Sequence, residues 1–285
     1  MQGRIKKPEI FSNWFIFPEI FFMNRLTVYF FSLLLLVNFS AMSQNVCIGV
    51  RGGISIPNLS AGGSEQNPLN TGYKSRLGPD FGLFAEFKVS KVFSIQPMVE
   101  YSSQGGKKDG MQALPTPEEL VLYFQSQNQP APTYVYANYK SEAKLNYLMI
   151  PVLAKFGWSF NHGSPFGIYV DAGPFVGFLL SAKQVTSGSS NIYLDQAGQE
   201  PLTQSPQSFD NTQDIKSQLN SVNFGVEGNV GLFYQKCCSK IFIEGGANYG
   251  FLNIQKGSAN GKNNTGAGTV TVGYAYCFGK KATAK

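Results

Sequence analysis

Residues 222–234 read Val-Asn-Phe-Gly-Val-Glu-Gly-Asn-Val-Gly-Leu-Phe-Tyr, and their character alternates. Val222, Phe224, Val226, Val230, Leu232 and Tyr234 share one parity, while Asn223, Gly225, Glu227, Asn229 and Gly231 share the other. Successive side chains of a strand point to opposite faces, so this segment has one greasy and one wet face. The same pattern recurs along most of the chain. Its apolar parity holds aromatic and aliphatic residues where a water-facing sheet would hold Lys, Glu and Thr. That is the pattern of a β-barrel with an apolar outer wall and a polar interior, standing in lipid.

Working outward, alternation marks Val46 to Ile56, Asp80 to Val89, Val92 to Gln104, Lys144 to Trp158, Phe166 to Val185, Ile241 to Ile254 and Thr265 to Phe278. With residues 222–234 this makes eight strands in an all-β, antiparallel, up-and-down transmembrane barrel. The links alternate long and short from one end to the other. If each strand crosses once, the long links lie on one side and the short ones on the other. Outer-membrane barrels are built this way, with short periplasmic turns and long extracellular loops. The inserts 105–141 and 184–221 are rich in Gln, Asn, Ser and Pro and read as loops. Pro117-Glu118-Glu119-Leu120 within the first could open a short helix.

Charged strand residues fall almost wholly on the inward parity: Arg51, Glu86, Lys88, Glu100, Lys155, Asp171, Glu227 and Glu244. An eight-stranded barrel has an interior just wide enough for side chains, so free passage of solutes is not expected. Buried charges must be paired, and the interleaved signs predict a packed ionic plug of structural character. Pro97, Pro151 and Pro174 cannot donate to a ladder and read as bulges or kinks.

The N-terminal residues specify where such a barrel would be made. Residues 1–22, ahead of a second plausible start at Met23, read as an extension from a start codon placed too early. From Met23, a short basic start, an apolar run from Leu26 to Val37 and small residues at Ala41 and Ser43 read as a signal peptide over 23–43, cut after Ser43. The run is too short for a spanning helix, which needs about 20 apolar residues. The barrel then occupies 44–279, with a basic tail over 280–285. Loss of residues 1–43 leaves 19 basic residues against 15 acidic ones. That balance is too weak and scattered for a nucleic-acid partner. A charged fraction of only 14%, with 31 Gly and 24 Phe, fits an apolar outer wall around a crowded interior.

Four cysteines fit an oxidising compartment. Cys47 in the first strand and Cys277 in the last fall on the inward parity at the same end, and closing the barrel makes these strands neighbours. The two are therefore a candidate disulfide across the seam, with two free thiols as the alternative. Cys237 and Cys238 sit in a turn, where they either pair with each other or stay free. The single histidine, His162, lies in a short turn without a partner at a useful depth. A catalytic or metal site would need more, so no enzyme activity, cofactor or metal is expected.

Together these residues resemble the PorT-type outer-membrane β-barrel proteins of Gram-negative bacteria. The resemblance rests on Gly49-Val50-Arg51-Gly52-Gly53 with Pro57-Asn58-Leu59-Ser60, on Phe81-Gly82-Leu83-Phe84-Ala85-Glu86-Phe87, and on Phe93-Ser94-Ile95-Gln96-Pro97-Met98-Val99-Glu100-Tyr101. It continues through Leu145-Asn146-Tyr147-Leu148-Met149-Ile150-Pro151 and Ala172-Gly173-Pro174-Phe175-Val176-Gly177-Phe178. Two features depart from the pattern: Met149 stands where an acidic residue is expected, and lysines follow Phe278. The resemblance implies an outer-membrane location, with lipid and the barrel-assembly machinery as partners. For a few relatives it implies a part in secretion or gliding.

The residues thus point to a non-enzymatic barrel with a structural or interaction role through its long extracellular loops, where envelope proteins would bind. The alternatives are a narrow pore or secretion subunit, and a soluble lipocalin-like carrier. The last requires the reverse parity.

Overall fold

The computed structural model describes residues 46–61, 68–161, 163–257 and 261–278. The N-terminal extension, the signal peptide with its cleavage after Ser43, His162 and the basic tail lie outside the described residues. Eight long strands form a closed antiparallel ring: β1 (Val46–Ala61), β2 (Gly78–Lys88), β3 (Phe93–Pro115), β4 (Tyr134–Ser159), β5 (Phe166–Ser187), β10 (Val222–Lys236), β11 (Ser239–Gly250) and β12 (Asn263–Phe278). β12 pairs with β1 along the whole length of β1, from Val46 opposite Phe278 to Ala61 opposite Asn263, which removes any free sheet edge from the ring. Four short strands decorate the long links: β6 (Ser189–Ser190), β7 (Ile192–Tyr193), β8 (Gln207–Ser208) and β9 (Asn211–Asp214). No helix among the described residues is long and apolar enough to cross a membrane.

Side-chain direction follows the parity. Leu83, Val272 and Ile241 are 65%, 58% and 57% exposed, whereas Arg51, Glu100 and Glu244 are 4%, 0% and 4% exposed. Apolar groups cover the outside and ionic groups the inside, so water is the wrong solvent for the outer wall. The reverse parity that a soluble carrier requires is absent from the described strands.

Two parts of the sequence reading need correction. The insert 105–141 is not simply a loop: β3 continues to Pro115 and β4 begins at Tyr134, paired in register from Gly105 opposite Lys144 to Pro115 opposite Tyr134. At about 3.3 Å per residue, the 26 residues of β4 are far longer than the roughly 9–11 that a membrane needs. The hairpin therefore projects beyond the lipid. Its tip carries a helix, α1 (Glu118–Ser126), with Pro117 immediately before it. In 184–221, β5 runs on to Ser187 and the short strands follow. Second, the prolines are not bulges. The ladders lose pairs beside Pro97, Pro151 and Pro174, yet resume in the same register. The register shift in β4–β5 falls at Asn146/Tyr147 instead.

Interior packing explains the glycine content. Gly49 faces Phe84, Gly231 faces Tyr169, Gly273 faces Phe242, Gly167 faces Phe233 and Gly225 faces Phe175, each directly across a ladder. In every case a Cβ on the glycine would run into the opposing ring. A narrow lumen cannot hold two large side chains abreast, so each ring lies across a glycine. Gly231→Ala is accordingly expected to displace Tyr169 and to destabilise the barrel by about 1–3 kcal/mol, the usual cost of overpacking. Urea unfolding in detergent micelles would read this, and an unchanged midpoint would show that the lumen has room to spare.

Candidate functional site

The ionic residues gather in the lumen in two tiers. In the middle of the barrel Arg51 donates through Nη1 to Glu244 at 2.7 Å and through Nη2 to Glu227 at 2.8 Å and Glu100 at 2.5 Å. The four residues come from β1, β3, β10 and β11, so one guanidinium ties together strands on opposite walls. Its fork of donors suits several carboxylates at once. Asp80 sits nearby on β2 and accepts from Ser102 at 2.9 Å.

Nearer the short turns, Lys155 donates to Gln96 at 2.9 Å and lies 3.8 Å from both Glu86 and Asp171. Lys240 donates to Glu86 at 2.9 Å. Asn229 bridges the tiers, donating to Asp171 at 2.9 Å and to Glu227 at 3.1 Å. Tyr169 also joins them: its hydroxyl donates to Glu244 at 2.5 Å, while Lys155 Nζ sits 3.7 Å from its ring centroid.

Apolar layers flank the Arg51 cluster on both sides. Phe84, Met98, Leu153, Tyr169 and Phe242 pack towards the short-turn end. Leu145, Tyr147, Met149, Phe175, Leu179, Leu219 and Ile254 pack towards the long loops. Met149, opposite Glu100 in the ladder, thus extends an apolar layer where the family resemblance called for a charge.

Seven of the eight charges singled out in the sequence are buried in this network. Lys88 is the exception. As the last residue of β2 it lies half-buried at the mouth, on the same parity as Glu86 and near enough to feel its charge, but forms no ion pair within 4 Å among the described residues. The sequence reading missed Lys240, Asp80 and Tyr169. Lys240 follows the Cys237-Cys238 turn so closely that its parity was hidden. Tyr169 carried a usable signal, an aromatic on the wet parity of a strand. Cys47 and Cys277 face each other in the ladder and are joined by a disulfide, while Cys237 and Cys238 are free thiols.

The long-loop end is capped by polar contacts. Arg76 donates to Glu142 at 2.7 Å and to Ser103 at 2.9 Å, and the guanidinium holds the Glu142 carboxyl below the usual carboxylate range against the opposing effect of partial burial. Lys108 donates to the Leu69 carbonyl at 2.7 Å, and burial pushes its ammonium down to about 8. A group whose folded pKa lies below its unfolded value binds fewer protons when folded, so this cap should gain stability as pH rises from about 8 towards 10. Amide exchange in residues 68–77 should slow, relative to its intrinsic rate, over that range. Protection that falls instead would contradict the burial of Lys108.

Around this end lies a cavity of about 330 Å³, lined in part by Tyr73, Gln112, Tyr139 and Gln184. The short-turn mouth holds another of about 700 Å³. Among the described residues no group of His, Cys, Asp or Glu is arranged to hold a metal ion.

A closed ring of eight antiparallel strands, apolar outside and ionic inside, is the architecture of small bacterial outer-membrane barrels. Residues 42–256 match the family model described as outer membrane protein beta-barrel domain. The chain belongs to that family. Among solved structures it is similar to Neisserial surface protein A, with 14% identity, a TM-score of 0.37, and coverage of 81% of this chain and 97% of that one. It is also similar to Ail, the attachment invasion locus protein of Yersinia pestis, with 10% identity, a TM-score of 0.35, and coverage of 82% and 99%. A third similar structure is the outer membrane protease OmpT of Escherichia coli, with 10% identity, a TM-score of 0.31, and coverage of 82% and 97%. No protein of curated function matches the sequence. This outer-membrane barrel is therefore assigned by its architecture and family rather than by a characterised relative.

Proposed function

We propose that this protein is a non-enzymatic outer-membrane barrel of PorT type that acts as an interaction scaffold. Its short turns and both mature termini face the periplasm, and its long links present a binding face outside the cell. The observation that carries this reading is the contrast between a sealed lumen and an elaborated outer end. Two apolar layers and an ion network fill the interior, whereas β3 and β4 continue well past the lipid and carry α1 and the pairings with β7. A sheet extended beyond the membrane has no role in spanning it. Its use is recognition. Lipid surrounds the apolar wall, the barrel-assembly machinery inserts it, and envelope proteins are the expected partners of the outer end.

Fractionation of cells and comparison of unboiled with boiled samples on a gel test this directly. The folded barrel should collect in the outer-membrane fraction and change its mobility on heating, and protease added to intact cells should cut within 116–133. Recovery in the soluble periplasm would overturn the reading, as would protection of 116–133 in intact cells together with cleavage after the outer membrane is opened. Deleting 116–133 should leave heat-modifiability intact, because no lumen side chain lies there.

A further inference from the structure

We propose that the short-turn mouth is a binding site for a small, multiply charged anion of the phosphate class. The cavity of about 700 Å³ at this end is lined by Lys88, Lys91, Lys155 and Lys240, with Glu86 as the single carboxylate among the described residues. Tyr169 and Phe233 form part of its wall towards the lumen. Lys240 and Lys155 are both buried, and both look to Glu86 as a partner, at 2.9 Å and 3.8 Å. One carboxylate cannot neutralise two ammonium groups. Asp171, 3.8 Å from Lys155 and outside the cavity lining, neutralises the second. Lys88 and Lys91 then form no ion pair within 4 Å among the described residues, and Lys88 shares only the longer-range attraction of Glu86, already taken up by Lys240 and Lys155.

The lumen as a whole is not basic, which makes the arrangement at the mouth informative. The carboxylates that outnumber the cations, Asp80, Glu100, Glu227 and Glu244, surround Arg51 behind the layer formed by Phe84, Tyr169 and Phe242. The acidic excess is segregated into the sealed middle, and the basic excess is placed where an entering ligand meets it. Low-dielectric walls strengthen such a field, so an anion entering the mouth is drawn inwards.

The choice of lysine over arginine indicates the ligand. A guanidinium fork favours planar carboxylates, whereas ammonium groups are point charges that suit a compact anion with oxygens in several directions. A phosphate group carrying about two charges would complement Lys88 and Lys91, which form no close ion pair among the described residues. Its source could be a soluble phosphate compound or a lipid headgroup of the facing leaflet.

Calorimetric titration of the purified full-length protein with pyrophosphate, in zwitterionic detergent at low salt, tests the proposal. Saturable one-to-one binding is expected, weakening as sodium chloride is raised. The Lys88→Gln/Lys91→Gln variant should bind at least tenfold more weakly. Because neither lysine forms an ion pair within 4 Å and Glu86 keeps Lys240 and Lys155, the variant should fold, and its heat-modifiability on a gel checks that it has. Absence of saturable binding up to millimolar pyrophosphate, or unchanged affinity in the folded variant, would overturn the proposal. To separate the two sources, the titration is repeated in bilayer discs of phosphatidylglycerol and of phosphatidylcholine. Weaker pyrophosphate binding in the anionic discs identifies the headgroup as a competitor at the mouth, and equal binding in both identifies a soluble ligand.

Discussion

Arg51→Met is expected to be among the most damaging single substitutions in the lumen, lowering the free energy of unfolding by roughly 3–5 kcal/mol. Arg51 holds Glu100, Glu227 and Glu244 at 2.5–2.8 Å, and all four side chains are essentially inaccessible to water. Removing the cation leaves three carboxylates facing one another in a confined, dry space. Arg51→Lys should be intermediate, since one ammonium cannot replace both Nη1 and Nη2 on opposite walls. Urea titration in lipid vesicles, followed by heat-modifiable migration, measures both. A loss below about 0.5 kcal/mol for Arg51→Met would mean that the network is not what holds the strands together. Replacing the whole cluster with apolar residues of similar volume should recover much of the loss, because a buried ion group is costly mainly when broken. Full recovery would identify the network as a structural plug.

Loss of the Cys47–Cys277 disulfide should have the next largest effect. The bond closes a sequence separation of 230 residues. Cross-linking so long a segment restricts the unfolded chain strongly, and the chain-entropy argument puts the ceiling near 5 kcal/mol, with about 2–5 kcal/mol usual in practice. The native state should change little, because the β1–β12 ladder already holds the seam. The double variant Cys47→Ala/Cys277→Ala should therefore keep its heat-modifiable band while unfolding at lower urea. Boiled without reductant, the natural protein should migrate faster than when reduced, since a closed loop is more compact. Mass spectrometry that finds both thiols free in protein isolated from the membrane would remove the basis of this expectation. Cys237 and Cys238 should both be alkylated without prior reduction, in keeping with their free state.

The strand set was legible because alternation is a local property read against two very different solvents. Phe81, Leu83, Val270 and Val272 had to meet lipid and Arg51, Glu100 and Glu244 had to avoid it, so parity alone assigned each to a side. Where that contrast ends, legibility ends with it. Above the lipid both faces of β3 and β4 meet polar surroundings, and Lys107-Lys108-Asp109-Gly110-Met111-Gln112 shows no period, although it is strand. The helix at the hairpin tip remained visible through Pro117, whose fixed φ favours a helix start.

The sequence by itself determined the inside and outside of this protein, the number of its crossings and the pair of cysteines at its seam. All follow from side-chain period and chain order. Only the tertiary structure decided which carboxylates Arg51 gathers, which glycine each lumen aromatic covers, and that Lys88 is left at the mouth with Lys240 as a neighbour. Those facts depend on the relative stagger of eight strands around a ring. Stagger sets the height at which each inward side chain meets its neighbours, and it is fixed by ladder pairing between residues as far apart as Cys47 and Cys277, which no local pattern encodes.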